Sequence, residues 1–185
     1  MRRRAKVINF GILYGMGVLA LKENLGTDRA EAQKFYDNYF AEFPSIQGYL
    51  DSVILEAKQK GYTETLFGRR RYFPGLKSKI PFIRAMAERM AINAPIQGTA
   101  ADIIKIAIKN SKEALEKNGL INEARLILQV HDELMYEEKK KKIEEVKKIV
   151  IEAMKNVIPD EFLKDKKSVP LDVHISVGKN WGEMK

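Results

Sequence analysis

Four side chains near the start of the chain recur at intervals of four residues and run from cationic to aromatic: Arg2, Lys6, Phe10 and Tyr14. At about 100° per residue, this spacing keeps all four on one face of a helix. Cationic groups bind phosphate oxygens, and aromatic rings pack beside a sugar or stack on a base. The face could therefore hold a nucleoside triphosphate. An amphipathic helix with solvated basic residues is the alternative interpretation.

Two adjacent carboxylates, Asp132 and Glu133, follow His131 between the β-prone runs 124–130 and 133–138. Two such runs separated by two residues predict a tight hairpin, although His-Asp is an unfavourable pair for the turn. Carboxylates at a hairpin tip can hold a hard divalent cation, as phosphoryl transfer requires. Asp132 is the expected metal ligand. A positioning role is an equal alternative for Glu133, and His131 could equally be a simple turn residue.

A third polar set, Arg89, Asn93 and Gln97, repeats the four-residue spacing within the helical pattern 81–117, which contains Pro95. Minor-groove hydrogen-bond acceptors occupy similar positions in every base pair, so these side chains could check pair geometry without reading sequence. The alternative is a buried helix whose polar groups satisfy one another.

The elements that must position these residues are mostly helical. Helical patterns cover residues 2–15, 28–43, 45–60, 81–117 and 139–157. An N-cap signature, Thr27-Asp28 followed by Glu31, opens the second pattern, Pro44 marks its end, and Gly61 ends the third. A small hairpin or loop is expected around the arginines 69–71. The alternation of four apolar residues predicts a final strand: Leu171, Val173, Ile175 and Val177.

The composition narrows the classes of function. The chain has 185 residues and a net charge of +8. It contains no cysteine, which excludes disulfides, thiolate zinc sites and cysteine nucleophiles. Residues 1–92 hold 16 Lys and Arg against nine Asp and Glu, and they also hold 13 of the 16 aromatic residues. Cationic charge mixed with aromatic rings is typical of a nucleic-acid surface. Residues 93–185 are nearly neutral, with 17 Lys and Arg against 16 Asp and Glu.

A secretory signal peptide is a rival interpretation of the N-terminus. Residues 1–6 are basic, residues 7–21 are almost uncharged and apolar, and cleavage after Ala20 would fit the pattern. The polar and aromatic residues within this stretch, at their helical spacing, argue against it. No other segment is long and apolar enough to span a bilayer.

Taken together, three segments resemble conserved motifs of the family A DNA polymerases, the bacterial DNA polymerase I type. Residues 2–15 closely resemble motif B, residues 129–134 resemble motif C, and residues 88–102 are similar to the helix that follows the primer-template. Residues 65–74 also resemble the family's fingers loop, and residues 178–181 its carboxyl end. The resemblance covers nearly the whole chain.

The resemblance implies a role for each matching residue. Nucleotide binding would involve Arg2, Lys6, Phe10 and Tyr14. Catalysis would involve Asp132, Glu133 and Lys6, with Asp132 binding Mg²⁺ in a two-metal site that a carboxylate absent from this chain would complete. DNA binding would involve Arg89, Asn93, Gln97, His131, Arg69 and Arg70.

The implied fold class is α+β, predominantly helical, with residues 1–80 in the fingers and residues 81–185 in the fingers-to-palm helix and a partial palm. The palm part would contain the motif C hairpin and the C-terminal strand. The implied function is template-directed transfer of deoxynucleotides to a primer 3′ end in DNA replication or repair, in the cytoplasm near the nucleoid if the source is bacterial, or in an organelle. The expected partners are primer-template DNA, deoxynucleoside triphosphates and an upstream polymerase segment in cis or in trans, and no membrane.

The motif A aspartate has no counterpart in the chain, and Asp102 and Asp172 are the other candidate carboxylates. Because two-metal catalysis requires more than one carboxylate, the chain is expected to be inactive alone. The alternative is a non-catalytic nucleic-acid-binding module that retains the polymerase scaffold.

Overall fold

The computed structural model of the protein describes residues 2–162 and 170–184, and the side chains of residues 2–5 and 160 lie outside that description. Six α-helices dominate the described residues: α1 (Arg2–Leu13), α2 (Val18–Leu25), α3 (Arg29–Glu42), α4 (Pro44–Lys60), α5 (Pro81–Lys117) and α6 (Ile143–Lys155). Two antiparallel hairpins accompany them: β1 (Tyr62–Glu64) with β2 (Arg70–Tyr72), and β3 (Ala124–Val130) with β4 (Glu133–Glu138). This content confirms the expected α+β, predominantly helical fold class.

The chain separates into two compact units, Met1–Thr99 and Ala100–Lys185. The first unit contains α1 to α4, the β1–β2 hairpin and the first half of α5. The second contains the rest of α5, the β3–β4 hairpin and α6. The expected boundary between fingers and palm at residue 80 stays a prediction.

Helices α1, α2 and α3 share one hydrophobic cluster. Ile8 and Ile12 of α1 and Leu21 of α2 are buried in it, and Tyr36 and Phe40 of α3 pack against them. Ile8 and Ile12 are one helical turn apart, so they give α1 a buried side and leave its other side to solvent. The sequence pattern does not predict α2, because eight residues are too few for a helical period to emerge.

The N-terminal apolar stretch 7–21 is divided between two helices. Its first part belongs to α1 and its last part to α2, with a turn between them at residues 14–17. No helix within residues 2–162 and 170–184 is long and apolar enough to cross a membrane.

The helix ends follow the predicted capping signals. The Asp28 carboxylate accepts a hydrogen bond from the backbone N–H of Glu31 at 2.8 Å, which caps α3. Pro44 follows the end of α3 and is itself the first residue of α4, where a missing N–H costs no hydrogen bond. Gly61 ends α4 with a φ of +80°, as predicted.

A face of alanines holds the first half of α5 in place. Ala87, Ala91 and Ala94 are buried and cluster with Phe73 and Leu76, which precede the helix. The three alanines recur at intervals of three and four residues, so they lie on one side of α5. The opposite side is therefore available for other contacts.

The second unit has its own core where α5, β3 and α6 meet. Leu115, Leu120, Ala124, Val146 and Val150 are buried together in it. The two valines belong to the apolar stripe that predicts the last helix, and their burial confirms the inward side of that stripe.

The structure of residues 170–178 contradicts the prediction of a C-terminal strand. The alternation of four apolar residues predicted a final strand, but no strand is formed there. A strand requires a hydrogen-bonding neighbour, and in the described part of the chain every strand is paired as β1–β2 or β3–β4. Leu171 and Val173 are half-buried, whereas Ile175 and Val177 are exposed. The alternation of apolar residues therefore indicates an extended segment, but it does not show whether a neighbouring strand pairs with it.

Leu21→Ala and Leu19→Ala form a matched pair, because both leucines lie on α2 and their exposed fractions are 0% and 66%. We expect Leu21→Ala to lower the free energy of unfolding of the first unit by about 2–5 kcal/mol, since it leaves a cavity. Leu19→Ala should change it by less than about 0.5 kcal/mol. Urea denaturation followed by circular dichroism measures both, and equal losses would contradict the packing of α2.

Candidate functional site

The exposed side of α1 and the turn that follows it carry one cation and two aromatic rings in a row. The Lys6 ammonium lies 5.7 Å from the centroid of the Phe10 ring. The Phe10 and Tyr14 rings follow with centroids 6.0 Å apart and planes at 33°. Lys6 and Phe10 are exposed, and Tyr14 is half-buried. Arg2 lies in the first turn of α1, and its side chain falls outside the described residues.

Packing on the other side of α1 fixes the direction of this face. Ile8 and Ile12 are buried, and the Tyr39 hydroxyl donates a hydrogen bond to the Asn9 side-chain oxygen. The helix is therefore amphipathic, as the alternative interpretation of its spacing required. Amphipathic packing does not compete with ligand binding, because the buried and exposed residues occupy different sides of one helix.

The turn after α1 packs directly against α5. Gly15 has a φ of +80°, and a Cβ atom at this position would lie 3.0 Å from Cγ of Arg89. A side chain at residue 15 would thus be disfavoured both by the backbone conformation and by its neighbour. The contact brings the end of the Lys6–Phe10–Tyr14 face to the first member of the Arg89–Asn93–Gln97 set.

The polar set on α5 faces away from the alanine side. Arg89 and Gln97 are exposed, and Asn93 is half-buried. Among the described residues, no hydrogen-bond partner reaches the buried side-chain oxygen of Asn93. The set is therefore not a self-satisfied buried network, which was the alternative interpretation of its spacing.

The two arginines predicted to contact DNA are engaged in different ways. Arg69 donates from Nη2 to the backbone oxygen of Gly98 at 3.0 Å. Arg70 forms an ion pair with Glu64, Nε to Oε1 at 2.6 Å, and its guanidinium lies 4.7 Å from the Tyr62 ring centroid. The hydrogen bond that Arg70 donates to Glu64 raises the pKa of Arg70. Glu64 thus compensates the charge of Arg70, and the Gly98 carbonyl orients Arg69.

A cleft of about 210 Å³ lies between the β1–β2 hairpin and α5, lined by Thr63, Glu64, Thr65, Arg69, Arg71, Ala94, Gln97 and Gly98. The Thr63 hydroxyl is buried, and no partner for it occurs in the described residues. Thr63 is paired with Arg71 across the hairpin. Sequence reasoning missed both residues, although strand alternation places Arg71 and Arg70 on opposite faces.

The β3–β4 hairpin confirms the predicted two-residue turn. Val130 pairs with Glu133, which leaves His131 and Asp132 as the turn. His131 has a φ of +52°, the one non-glycine residue of the described chain with a positive φ. Positive φ at the first turn residue alone is the geometry of a type II′ turn, which ordinarily requires glycine there. Gln129 donates to the His131 backbone oxygen at 2.9 Å and braces the turn.

One extra residue bends β3 below the turn. The pairing shifts between Leu126 and Leu128, so Ile127 has no partner on β4. Such a bulge increases local twist and redirects the strand end. His131, Asp132 and Glu133 are all exposed at this end.

Asp132 supplies the hard oxygen ligands that Mg²⁺ prefers, and Glu133 adds a second carboxylate beside it. Within residues 2–162 and 170–184, no three His, Cys, Asp or Glu side chains come close enough to hold a metal ion. Asp172 instead forms an ion pair with Lys155 at 3.2 Å, and the hydrogen bond from Lys155 lowers its pKa. Asp102 is buried within α5. The carboxylates fit part of a metal site, and neither alternative aspartate completes it.

The site residues are thus distributed over both units. The α1 face, the arginines of the β1–β2 loop and the polar set of α5 belong to the first unit, and the motif C turn belongs to the second. The profile of DNA polymerase family A matches residues 1–183, which include both groups.

The chain belongs to DNA polymerase family A.

Relatives of this family A chain are DNA polymerases I. The thermostable DNA polymerase I of Thermus filiformis is 45% identical over 185 residues, which is 100% of this chain and 21% of that protein. DNA polymerase I of Bacillus subtilis strain 168 is also 45% identical over 185 residues, 100% of this chain and 20% of that protein. The chain therefore spans about a fifth of the length of these relatives.

A solved structure shares the fold of this family A chain. It is the POL domain of Pol1 from M. smegmatis in complex with DNA primer-template and dNTP, with a TM-score of 0.90 and 40% identity. The match covers 99% of this chain and 31% of that chain. The apolar stretch 7–21 falls within the region matched by the family profile, so it is part of the polymerase fold.

His131→Gly and Asp132→Gly test the strain at the turn of this family A chain. We expect His131→Gly to raise the free energy of unfolding of the second unit by up to about 1 kcal/mol, because glycine adopts positive φ without strain. Asp132 has a negative φ. Asp132→Gly should therefore lower the same quantity by about 0.5–1 kcal/mol through backbone entropy. Urea denaturation measures both, and a loss of stability in His131→Gly would contradict the strained turn.

Proposed function

We propose that this chain forms the fingers (residues 1–80) and part of the palm (residues 81–185) of a template-directed DNA polymerase. The reaction is the transfer of a deoxynucleotide to a primer 3′ end. The observation that carries the proposal is the contact of Gly15 with Arg89, which joins a cationic and aromatic helix face to a polar helix face. A nucleotide on the first face and a base pair on the second would be neighbours, as templated addition requires.

The α1 face binds the incoming nucleotide. Arg2 and Lys6 attract the triphosphate, and the charge on Lys6 also stabilises the negative charge that develops on the leaving pyrophosphate. Phe10 packs on the nucleotide. Tyr14 stacks near the template base at the insertion site, because it is the ring adjacent to the Gly15 turn and to Arg89.

The α5 face and the β1–β2 loop bind the primer-template. Arg89, Asn93 and Gln97 contact minor-groove acceptors that are common to all correct base pairs. Because these groups are acceptors, Asn93 donates to them from its side-chain amide nitrogen. Arg69 and Arg70 contact the phosphate backbone, and His131 contacts DNA near the primer end.

The motif C turn binds Mg²⁺ through Asp132. When bound, Mg²⁺ lowers the energy of the charge that develops during phosphoryl transfer. The positive φ of His131 holds the turn so that Asp132 and Glu133 project from its exposed end. Glu133 positions the metal or the primer end. A carboxylate from a further polymerase segment, in cis or in trans, completes the site.

Primer extension tests the catalytic proposal. We expect no extension by the purified chain and restored extension when the complementary polymerase segment is added with Mg²⁺. In the restored enzyme, Asp132→Ala should lower kcat by about a hundredfold or more, because it removes a metal contact worth several kcal/mol. Asp172→Ala is the matched control, since Asp172 is an exposed aspartate tied to Lys155.

Three outcomes would contradict this proposal in different places. Extension by the chain alone would remove the need for a second segment. Equal rates in the two aspartate variants would remove the metal role of Asp132. DNA binding without extension in the presence of the complementary segment would identify a non-catalytic binding module.

The salt dependence of DNA affinity tests the loop arginines. We expect Arg70→Ala to reduce the slope of log K against log salt by much less than one, the value for one phosphate contact, because Glu64 already compensates Arg70. In a Glu64→Gln background, Arg70→Ala should reduce the slope by about one. Fluorescence anisotropy with a primer-template measures the slopes, and equal slope changes in the two backgrounds would refute the role of Glu64.

A further inference from the structure

An exposed apolar strip continues the polar face of α5 towards its N-terminus. Phe82, Met86 and Met90 make up this apolar strip, and their exposed fractions are 72%, 44% and 37%. At about 100° per residue, the strip and the set Arg89, Asn93 and Gln97 fall within an arc of about 100° on α5. The strip therefore extends the proposed DNA surface.

The strip is not required by the core of the first unit. The side of α5 that packs inward consists of Ala87, Ala91 and Ala94. Single exposed apolar residues are ordinary, but three in successive turns on one helix face form a patch that indicates a binding partner.

The charge around the strip identifies the class of partner. Residues 69–99 contain seven Lys and Arg, of which Arg70 is compensated by Glu64, and one acidic residue, Glu88. Glu88 is paired with Lys58 at 2.7 Å, so its charge is compensated. A positive surface with exposed apolar and aromatic side chains at its centre fits a polyanion that also offers flat apolar faces. Nucleic acid has both properties.

The apolar strip can contact base faces only in unpaired nucleotides. In a duplex, base faces are stacked inside the helix and only their edges reach the grooves. A phenylalanine or methionine side chain contacts a base face only where the strand is single. The polar set suits the duplex, and the apolar strip beside it suits the template strand that has not yet been paired.

We propose that Phe82, Met86 and Met90 form a platform for unpaired template bases next to the primer-template duplex. This inference rests on the proposed polymerase function and deepens it. Phe82 stacks on a template base, and the two methionines adapt to whichever bases follow, because thioether side chains are flexible and polarizable. Stacking tolerates every base, as a template requires.

The test uses the full chain and two fluorescent DNA probes, measured by anisotropy. One probe is a flush duplex, and the other has the same duplex with a 5′ template extension of about six unpaired thymidines. We expect the extended probe to bind at least about fivefold tighter than the flush duplex, the lower limit for one stacked base. Phe82→Ala should remove most of that gain and leave the salt slope unchanged, because no phosphate contact is lost.

Three further variants serve as controls. Phe82→Tyr should keep the higher affinity for the extended probe, since the aromatic ring is retained. Leu55→Ala should also keep it, because Leu55 is a comparably exposed apolar residue on α4, with 59% exposure. Arg89→Ala should weaken the binding of both probes by the same factor, because Arg89 contacts the paired region that they share, and it therefore reports on the duplex surface separately.

Several outcomes would overturn the platform. One is that Phe82→Ala still binds the extended probe more tightly than the flush duplex by the same factor as the native chain. Another is that Phe82→Ala loses the same affinity for both probes. If Phe82→Ala instead converted a dimer to a monomer in sedimentation while the gain persisted, the strip would bind a second copy of the chain. Failure of the proposed function itself has a different signature: neither probe would bind, or Arg89→Ala would have no effect on the flush duplex.

Discussion

The close approach of the Gly15 backbone to Arg89 is the constraint on which the arrangement of the first unit depends. A Cβ atom at residue 15 would lie 3.0 Å from the Arg89 side chain, and the φ of +80° already favours glycine. This contact fixes where the aromatic end of α1 meets the polar face of α5. If the turn were displaced by a larger side chain, each face would persist on its own helix, but the two would no longer adjoin.

Local sequence signals predicted the elements well because their causes are local. The N-cap at Asp28, the glycine that ends α4 and the period of the long α5 depend on residues within one or two turns. The motif C turn was predicted from two β-prone runs, and its unfavourable turn pair coincides with a φ of +52° at His131. A residue kept in a strained conformation at an exposed tip is typical of a functional position.

Contacts between distant residues could not be predicted in the same way. The prediction of a strand at residues 171–177 was wrong, because the alternation of apolar residues describes a single strand, whereas hydrogen-bonded pairing requires a second one. The close contact of Gly15 with Arg89 joins residues that are far apart in the sequence, and no period reveals it. Sequence reasoning likewise treated Arg69 and Arg70 as equivalent. The ion pair of Arg70 with Glu64 depends on the register of the hairpin, which the sequence does not show.

The partners of the basic residues explain how a modest positive charge becomes a localised field. A backbone carbonyl holds Arg84 at Ser78, and a carbonyl orients a guanidinium without cancelling its charge. Carboxylate partners act differently, because they remove net charge from the surface. Residues 69–99 contain one acidic residue, and it is paired with Lys58. The excess cationic charge of the N-terminal half therefore concentrates beside α5, where a polyanion gains most from it and where an apolar strip can contribute contacts that salt does not screen.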